Sequence, residues 1–217
     1  MSPPGGATAS EPDPARGPLG AAIPVLAIDG TSASGKGTIA ARAATALGFH
    51  LLDSGALYRL VGLSALRAGV ALEDETAVAA LARELPARFE GEAIFLGDTE
   101  VGVTLRGDLC SDAASRVAVH PAVRAALLQR QRDFRETPGL VADGRDMGTV
   151  VFPDAPAKVF LTASLQERAE RRYKQLIAKG IAANIGDLLR EIESRDRRDR
   201  ERAAAPLTVA PDALVID

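Results

Sequence analysis

The chain has 217 residues, 47% of them hydrophobic and 25% charged, with a net charge of −3; this is the composition of a globular domain and excludes a chain disordered throughout. Cys110 is the single cysteine, and His50 and His120 are the only histidines. No intramolecular disulfide is therefore expected, a metal site would be built mostly from carboxylates, and a reducing cytoplasm fits best; so weak an acidity gives no whole-protein attraction to nucleic acid or to an anionic membrane.

Residues 1–22 contain Pro3, Pro4, Pro12, Pro14 and Pro18 with Gly5, Gly6, Gly17 and Gly20, too little apolar surface to offset the entropy of ordering, and they read as a flexible tail. Glu11 and Asp13 interrupt any apolar run of the kind a signal peptide needs, and no stretch of about 18 apolar residues occurs anywhere, so neither export nor a membrane span is expected. Ordered sequence starts near Ile23. The apolar runs 25–28, 49–52, 140–142, 158–161 and 213–216 predict five buried strands, with helices predicted over 38–47, closed by Gly48, and over 57–67. Strands separated by helical patterns imply an α/β fold with a five-stranded parallel sheet covered by helices on both faces.

Residues 87–105 have a different texture. The segments 87–90, 93–96 and 100–105 alternate, joined by Gly91-Glu92 and Gly97-Asp98-Thr99, and predict a small antiparallel insert. Helices are predicted over 112–119 and 122–135, the second with Pro121 at an early position that tolerates proline.

The first chemical motif is Gly30-Thr31-Ser32-Ala33-Ser34-Gly35-Lys36-Gly37-Thr38. It has Gly-x4-Gly-Lys spacing between a predicted strand and a predicted helix, the setting of a loop that wraps phosphate. Glycines let the backbone curl so that N–H groups point inward, Lys36 adds a mobile positive charge, and the helix start adds its dipole. The hydroxyl of Thr38 stands one position later than the strict pattern requires. Gly35-Lys36-Gly37-Thr38-Ile39-Ala40 also fits a dinucleotide fingerprint, with Asp53 as the ribose acid, but such a loop turns directly off its strand, whereas here 30–34 intervene.

This loop resembles that of nucleoside monophosphate kinases. Asp53-Ser54-Gly55-Ala56-Leu57-Tyr58-Arg59 and Asp143-Gly144-Arg145-Asp146-Met147-Gly148-Thr149-Val150-Val151-Phe152-Pro153 resemble one branch of that group, the bacterial cytidylate kinases. The resemblance runs from about residue 24 to 217. It implies a P-loop NTPase core with a nucleoside-monophosphate-binding insert and a short helical lid. The core would comprise 23–84, 137–170 and 205–217, the insert 85–136, and the lid with its helix 171–204. It also implies transfer of the γ-phosphoryl group of ATP, with Mg²⁺, to CMP or dCMP. The family continues into a further helix beyond the last strand of this sequence, so apolar surface and reduced stability are expected there.

Asp53-Ser54 and Asp143 are placed at the carboxyl edge of the sheet, where ligands of such folds bind. Arg59 lies about one and a half helical turns beyond Ser54 and could reach an anion over the helix start. Gly144 lets the chain turn, so that Arg145 and Asp146 present opposite charges to one cleft. The resemblance gives Arg145 the acceptor phosphate and Asp146, with Ser115 and Arg124, the cytosine; Asp143 is expected to orient metal-bound water.

From 167 to 202 there are eleven Lys/Arg and eight Asp/Glu, a net of +3 against −6 for the rest. Arg195, Arg198 and Arg202 recur at three and four residues, placing three guanidinium groups on one helical face. The resemblance assigns Arg195, Asp199 and Arg202 to the acceptor's sugar and phosphate. Lys36, Arg145, Arg195 and Arg202 are the expected catalytic groups, with Thr38 supporting the metal through water. The expected partners are small nucleotides, with no nucleic acid and no membrane, acting on a monomer. A protein that binds ATP as a switch without phosphoryl transfer is the alternative.

Overall fold

The computed structural model describes residues 22–217 apart from 92 and 179; residues 1–21 of the proline- and glycine-rich head and Glu92 of the first predicted turn lie outside these. Five parallel strands form the central sheet: β1 (Val25–Gly30), β2 (His50–Asp53), β6 (Leu140–Gly144), β7 (Ala157–Leu161) and β8 (Leu214–Ile216). Their order is β2-β6-β1-β7-β8. β1 lies in the centre, with Ile28 opposite Asp143 on one side and Val159 on the other. Its near-continuous apolar sequence follows from being covered on both faces.

Helix α1 (Lys36–Leu47) is stopped by Gly48, at φ 66°, a left-handed cap that a side chain would disfavour. Helix α2 (Ser54–Ala68) is started by Asp53, whose carboxylate accepts from the N–H of Ala56 at 3.1 Å. Ala56, Leu57, Leu60, Val61 and Ala65 of α2 are buried in the main core, packed against α5 (Asp108–Val117).

That crossing is close because Gly62 has no side chain: a Cβ there would lie 2.8 Å from Cβ of Ala113. Gly62→Val is expected to destabilise the fold by about 1–3 kcal/mol through overpacking, lowering Tm by roughly 2–4 °C per kcal/mol. An unchanged thermal melting curve would refute this reading of the α2–α5 contact.

Helix α3 (Glu75–Arg83) precedes a second, antiparallel sheet of β3 (Ala87–Glu90), β4 (Ala93–Leu96) and β5 (Thr99–Glu100). The predicted third strand over 100–105 is corrected: only two residues pair, and Gly102–Leu105 form a helical turn, α4. Val101 and Leu105, four residues apart, are buried while Val103 between them is 80% exposed. The segment obeys the helical period, although its sequence also alternates. α5 begins four residues earlier than predicted, and α6 (Pro121–Arg132) starts with Pro121 as its first residue and ends three residues earlier.

After β6 a single π-helical turn, Met147–Val151, re-aims the chain. Asp29 at the end of β1 holds it, accepting from the N–H groups of Met147 and Gly148, each at 2.8 Å. Helices α7 (Leu165–Ala178) and α8 (Ile185–Glu201) pack on each other through Ala169, Leu176, Leu188 and Ile192, with Ala33 against the same cluster. β8 leaves Leu214, Val215 and Ile216 largely exposed at the sheet edge. Among the described residues no helix is long and apolar enough to cross a membrane.

Candidate active site

The chain leaves β1 for β2 on one side and later crosses to β7 on the other, so the sheet has a switch point at the carboxyl ends of β1 and β6, where ligands of open α/β sheets bind. A cleft of about 290 Å³ lies there. Eight cationic and four acidic side chains line it, an excess of four positive charges in a chain whose net charge is −3. Such a concentration selects polyanions.

One wall is the glycine-rich loop. Ala33 and Gly35 adopt positive φ values of 57° and 91°, which curl the loop, and α1 starts with Lys36 immediately after it. Ala33, Ser34, Gly35, Lys36, Gly37 and Thr38 line the cleft. Gly30, Thr31 and Ser32 do not. Gly30 serves packing instead, since a Cβ would lie 2.1 Å from the carbonyl oxygen of Leu161. The loop spans five residues between strand and helix, too wide for the dinucleotide turn.

Nζ of Lys36 stands 3.6 Å from Oδ1 of Asp143. Burial, and then the charge of Arg145, push the Lys36 ammonium down to about 8, with Asp143 acting in the opposite direction. The Asp143 carboxyl is pushed up by its own burial, which Lys36 partly offsets.

The opposite wall comes from α2, α5, α6 and the turn after β6. Asp53 pairs with Arg59 at 3.2 Å, and the Ser54 hydroxyl donates to the carbonyl of Asp143 at 2.8 Å. Ser115 is buried and its hydroxyl has no partner. Arg124 hydrogen bonds Asp146 and the carbonyl of Ala118 while lying over the ring of Tyr58. Unpartnered buried polar atoms carry a desolvation cost unless something fills the site; Tyr58 Oη, Ser34 Oγ and Arg195 Nε also lack a hydrogen-bond partner.

Arg145 and Asp146 both reach the cleft but do not pair with each other. Arg145 donates to Asp199 at 2.9 Å, while Asp146 lies between Arg124 and Arg202, the latter at 3.7 Å. Arg195 donates to Ser111 at 2.8 Å; burial and then Arg145 push its guanidinium down to about 10. The shared face expected for the three arginines is corrected in one member. Arg198 turns to Asp112 at 3.1 Å and is not part of the cleft lining, whereas Arg195 and Arg202 are.

Ser54, Arg59, Ser115, Arg124, Arg145, Asp146, Arg195, Asp199 and Arg202 thus meet around one cavity with Lys36 and Thr38. Arg171, Arg172 and Gln175 of α7 also line it, and sequence reasoning did not single them out. Gln175 follows Arg171 and Arg172 by four and three residues, which sets it beside both on the helix, but the surrounding charge run hides that signal. Among the described residues no three His, Cys, Asp or Glu side chains cluster as a metal cage.

A parallel α/β sheet with a lysine-bearing glycine loop at its switch point defines a P-loop nucleotide-binding enzyme. The family model for cytidylate kinase matches residues 26–217. Curated cytidylate kinases from Cupriavidus necator and Bordetella bronchiseptica are 60% and 58% identical over 195 and 196 residues, each alignment covering 90% of this chain and 88% of the relative. One from Chromobacterium violaceum is 55% identical at the same coverage. The chain belongs to the cytidylate kinase family.

Proposed function

We propose that the chain transfers the γ-phosphoryl group of Mg²⁺-ATP to the 5′-phosphate of CMP or dCMP. The observation carrying this reading is that the unpartnered Ser115 and the Arg124–Asp146 pair face the same cleft as the phosphate loop. Cytosine offers an amine donor beside acceptors, and an acid with an arginine and a hydroxyl is the complementary set. In this reading 85–136 is the acceptor-binding insert and 171–204 the lid. The enzyme works as a cytoplasmic monomer on small nucleotides.

An acceptor phosphate oxygen is already a nucleophile, so catalysis reduces to alignment, charge neutralisation and exclusion of water. Lys36 and the loop N–H groups hold the donor phosphates. Arg145, kept in place by Asp199, faces the cleft from the turn after β6, and Arg195 and Arg202 complete the cationic surround. Thr38 and Asp143 suit Mg²⁺: a hydroxyl lining the cleft and a carboxylate whose Oδ1 has no hydrogen-bond partner, with water and substrate phosphates completing the shell that this ion prefers. When bound, the ion neutralises phosphate charge.

ADP release with Mg²⁺-ATP and CMP, dCMP, UMP, AMP or GMP as acceptor tests the reading. Turnover concentrated on CMP and dCMP is expected. Turnover with AMP or GMP instead would overturn the assignment of the base site, and ATP binding without any acceptor-dependent turnover would favour a switch.

The Lys36 ammonium at about 8 makes the donor site pH-dependent. Phosphate binding favours the charged form, so affinity is full below that pH and falls as pH rises through it, by up to about tenfold per unit. The kcat/KM for ATP should show this falling limb, and Lys36→Arg should remove it.

A further inference from the structure

Ser32 belongs to the phosphate loop by sequence yet does not line the cleft. Its hydroxyl donates to Oδ1 of Asp196 at 2.6 Å, and its N–H approaches the same oxygen at 3.3 Å. The other carboxylate oxygen of Asp196 meets Arg168 at 2.7 Å. Arg168 in turn donates to the carbonyls of Ser32 and Ala163, each at 3.0 Å. Asp196 and Arg168 are 2% and 5% exposed. A buried pair of this kind contributes little net stability relative to apolar packing, and its best-attested use is to fix register.

The register concerned is that of α8. Arg195 directly precedes Asp196, and Asp199 lies three residues further along the helix. Asp199 holds Arg145. Two carboxylates one helical turn apart therefore grip opposite walls: Asp196 the phosphate loop, Asp199 the turn after β6. We propose that Asp196 is a positioning residue which, through Ser32, ties the phosphate loop to α8, so that nucleotide in the loop sets the placement of Arg195, Asp199 and Arg202. This deepens the function proposed above and rests on it. Asp196 touches no reacting atom; it acts through the helix that carries the arginines. α7 adds a second tie, from Arg171 to the carbonyl of Ser34.

Ser32→Ala removes the hydroxyl and leaves the Arg168–Asp196 pair intact, so it is the primary test; Asp196→Asn is the second variant and Ser32→Thr the conservative rescue. Hydrogen exchange of the α8 amides is measured with and without the β,γ-imido analogue of ATP, which needs no acceptor. Slowed exchange is expected in the wild type and in Ser32→Thr, and loss of that slowing in Ser32→Ala and Asp196→Asn. In turnover with CMP, kcat of Ser32→Ala should fall about tenfold, a modest part of what a misplaced reacting group costs. Affinity for the analogue and Tm should stay close to wild type.

Equal protection of α8 in wild type and Ser32→Ala, or none in either, would overturn the coupling. So would weakened analogue binding with kcat unchanged, which would make Ser32 a phosphate contact, or a lowered Tm alone, which would make the pair purely structural. If the wild type fails to turn over CMP yet shows nucleotide-dependent protection, the acceptor assignment falls and the coupling stands.

Discussion

Lys36→Met should lower kcat with CMP and ATP by about 10³-fold or more, a loss near 4 kcal/mol of transition-state stabilisation. The reason is geometric. Lys36 is the first residue of α1, directly behind the left-handed Gly35, and its ammonium is largely desolvated beside Asp143. In a site from which water is excluded, a charge placed in advance is worth far more than the same charge in bulk solvent. Methionine keeps the volume and the helix propensity, so the variant should fold. With the ammonium gone, the buried Asp143 carboxyl rises further, which adds to the loss. Steady-state kinetics with a melting curve separate the two effects: a folded variant with near-normal kcat would remove Lys36 from the catalytic set.

Asp146→Asn should change which acceptor is used. The Asp146 carboxylate sits between Arg124 and Arg202 in a site 3% exposed. A carboxylate accepts hydrogen bonds only, whereas an amide also donates. KM for CMP is expected to rise about 10²-fold, and the preference for CMP over UMP to shrink by roughly 10²–10³-fold, because a site that is left with mismatched polar groups discriminates through the cost of leaving them unpaired. The variant also leaves two buried guanidinium groups with one carboxylate fewer, so a lower Tm accompanies the change. Retained CMP preference in a folded Asp146→Asn protein would move the base-reading role to Ser115 and Arg124 alone.

These two residues differ in how readable they were. Lys36 follows from local chemistry: glycines at fixed spacing, a strand before, a helix after. Asp146 is legible as a charged residue just past a buried strand, at the edge where ligands bind. The resemblance already set it beside Arg124, but its second partner, Arg202, came only from the structure. Neighbours in sequence diverge here: Arg145 bonds Asp199 and Asp146 bonds Arg124, just ahead of the π-helical turn that Asp29 holds. Ser32 shows the converse. It lies inside the phosphate motif yet faces Asp196, which lies 164 positions away.

The segment 100–105 marks another boundary of local reading. Val101, Val103 and Leu105 suit a strand by alternation, while Val101 and Leu105 suit a helix by their separation of four. Burial of the outer pair against the core, with Val103 left in solvent, chose the helix.

What the amino-acid sequence determined by itself was the alternation of buried strands with helices, the parallel sheet this implies, and the phosphate loop at the end of the first strand. Each depends on interactions within a few residues: apolar runs, glycine conformations and helix caps. Tertiary structure alone decided which charges of a uniformly charged helical pair enter the cleft. Along α8 the helical period makes Arg195, Arg198 and Arg202 near-equivalent. The packing of Leu188 and Ile192 against Ala169 and Leu176, with the Asp196 bond to the phosphate loop, sets the rotation that turns Arg195 and Arg202 inward and leaves Arg198 to Asp112. Long-range packing energies of this kind have no signature in local spacing.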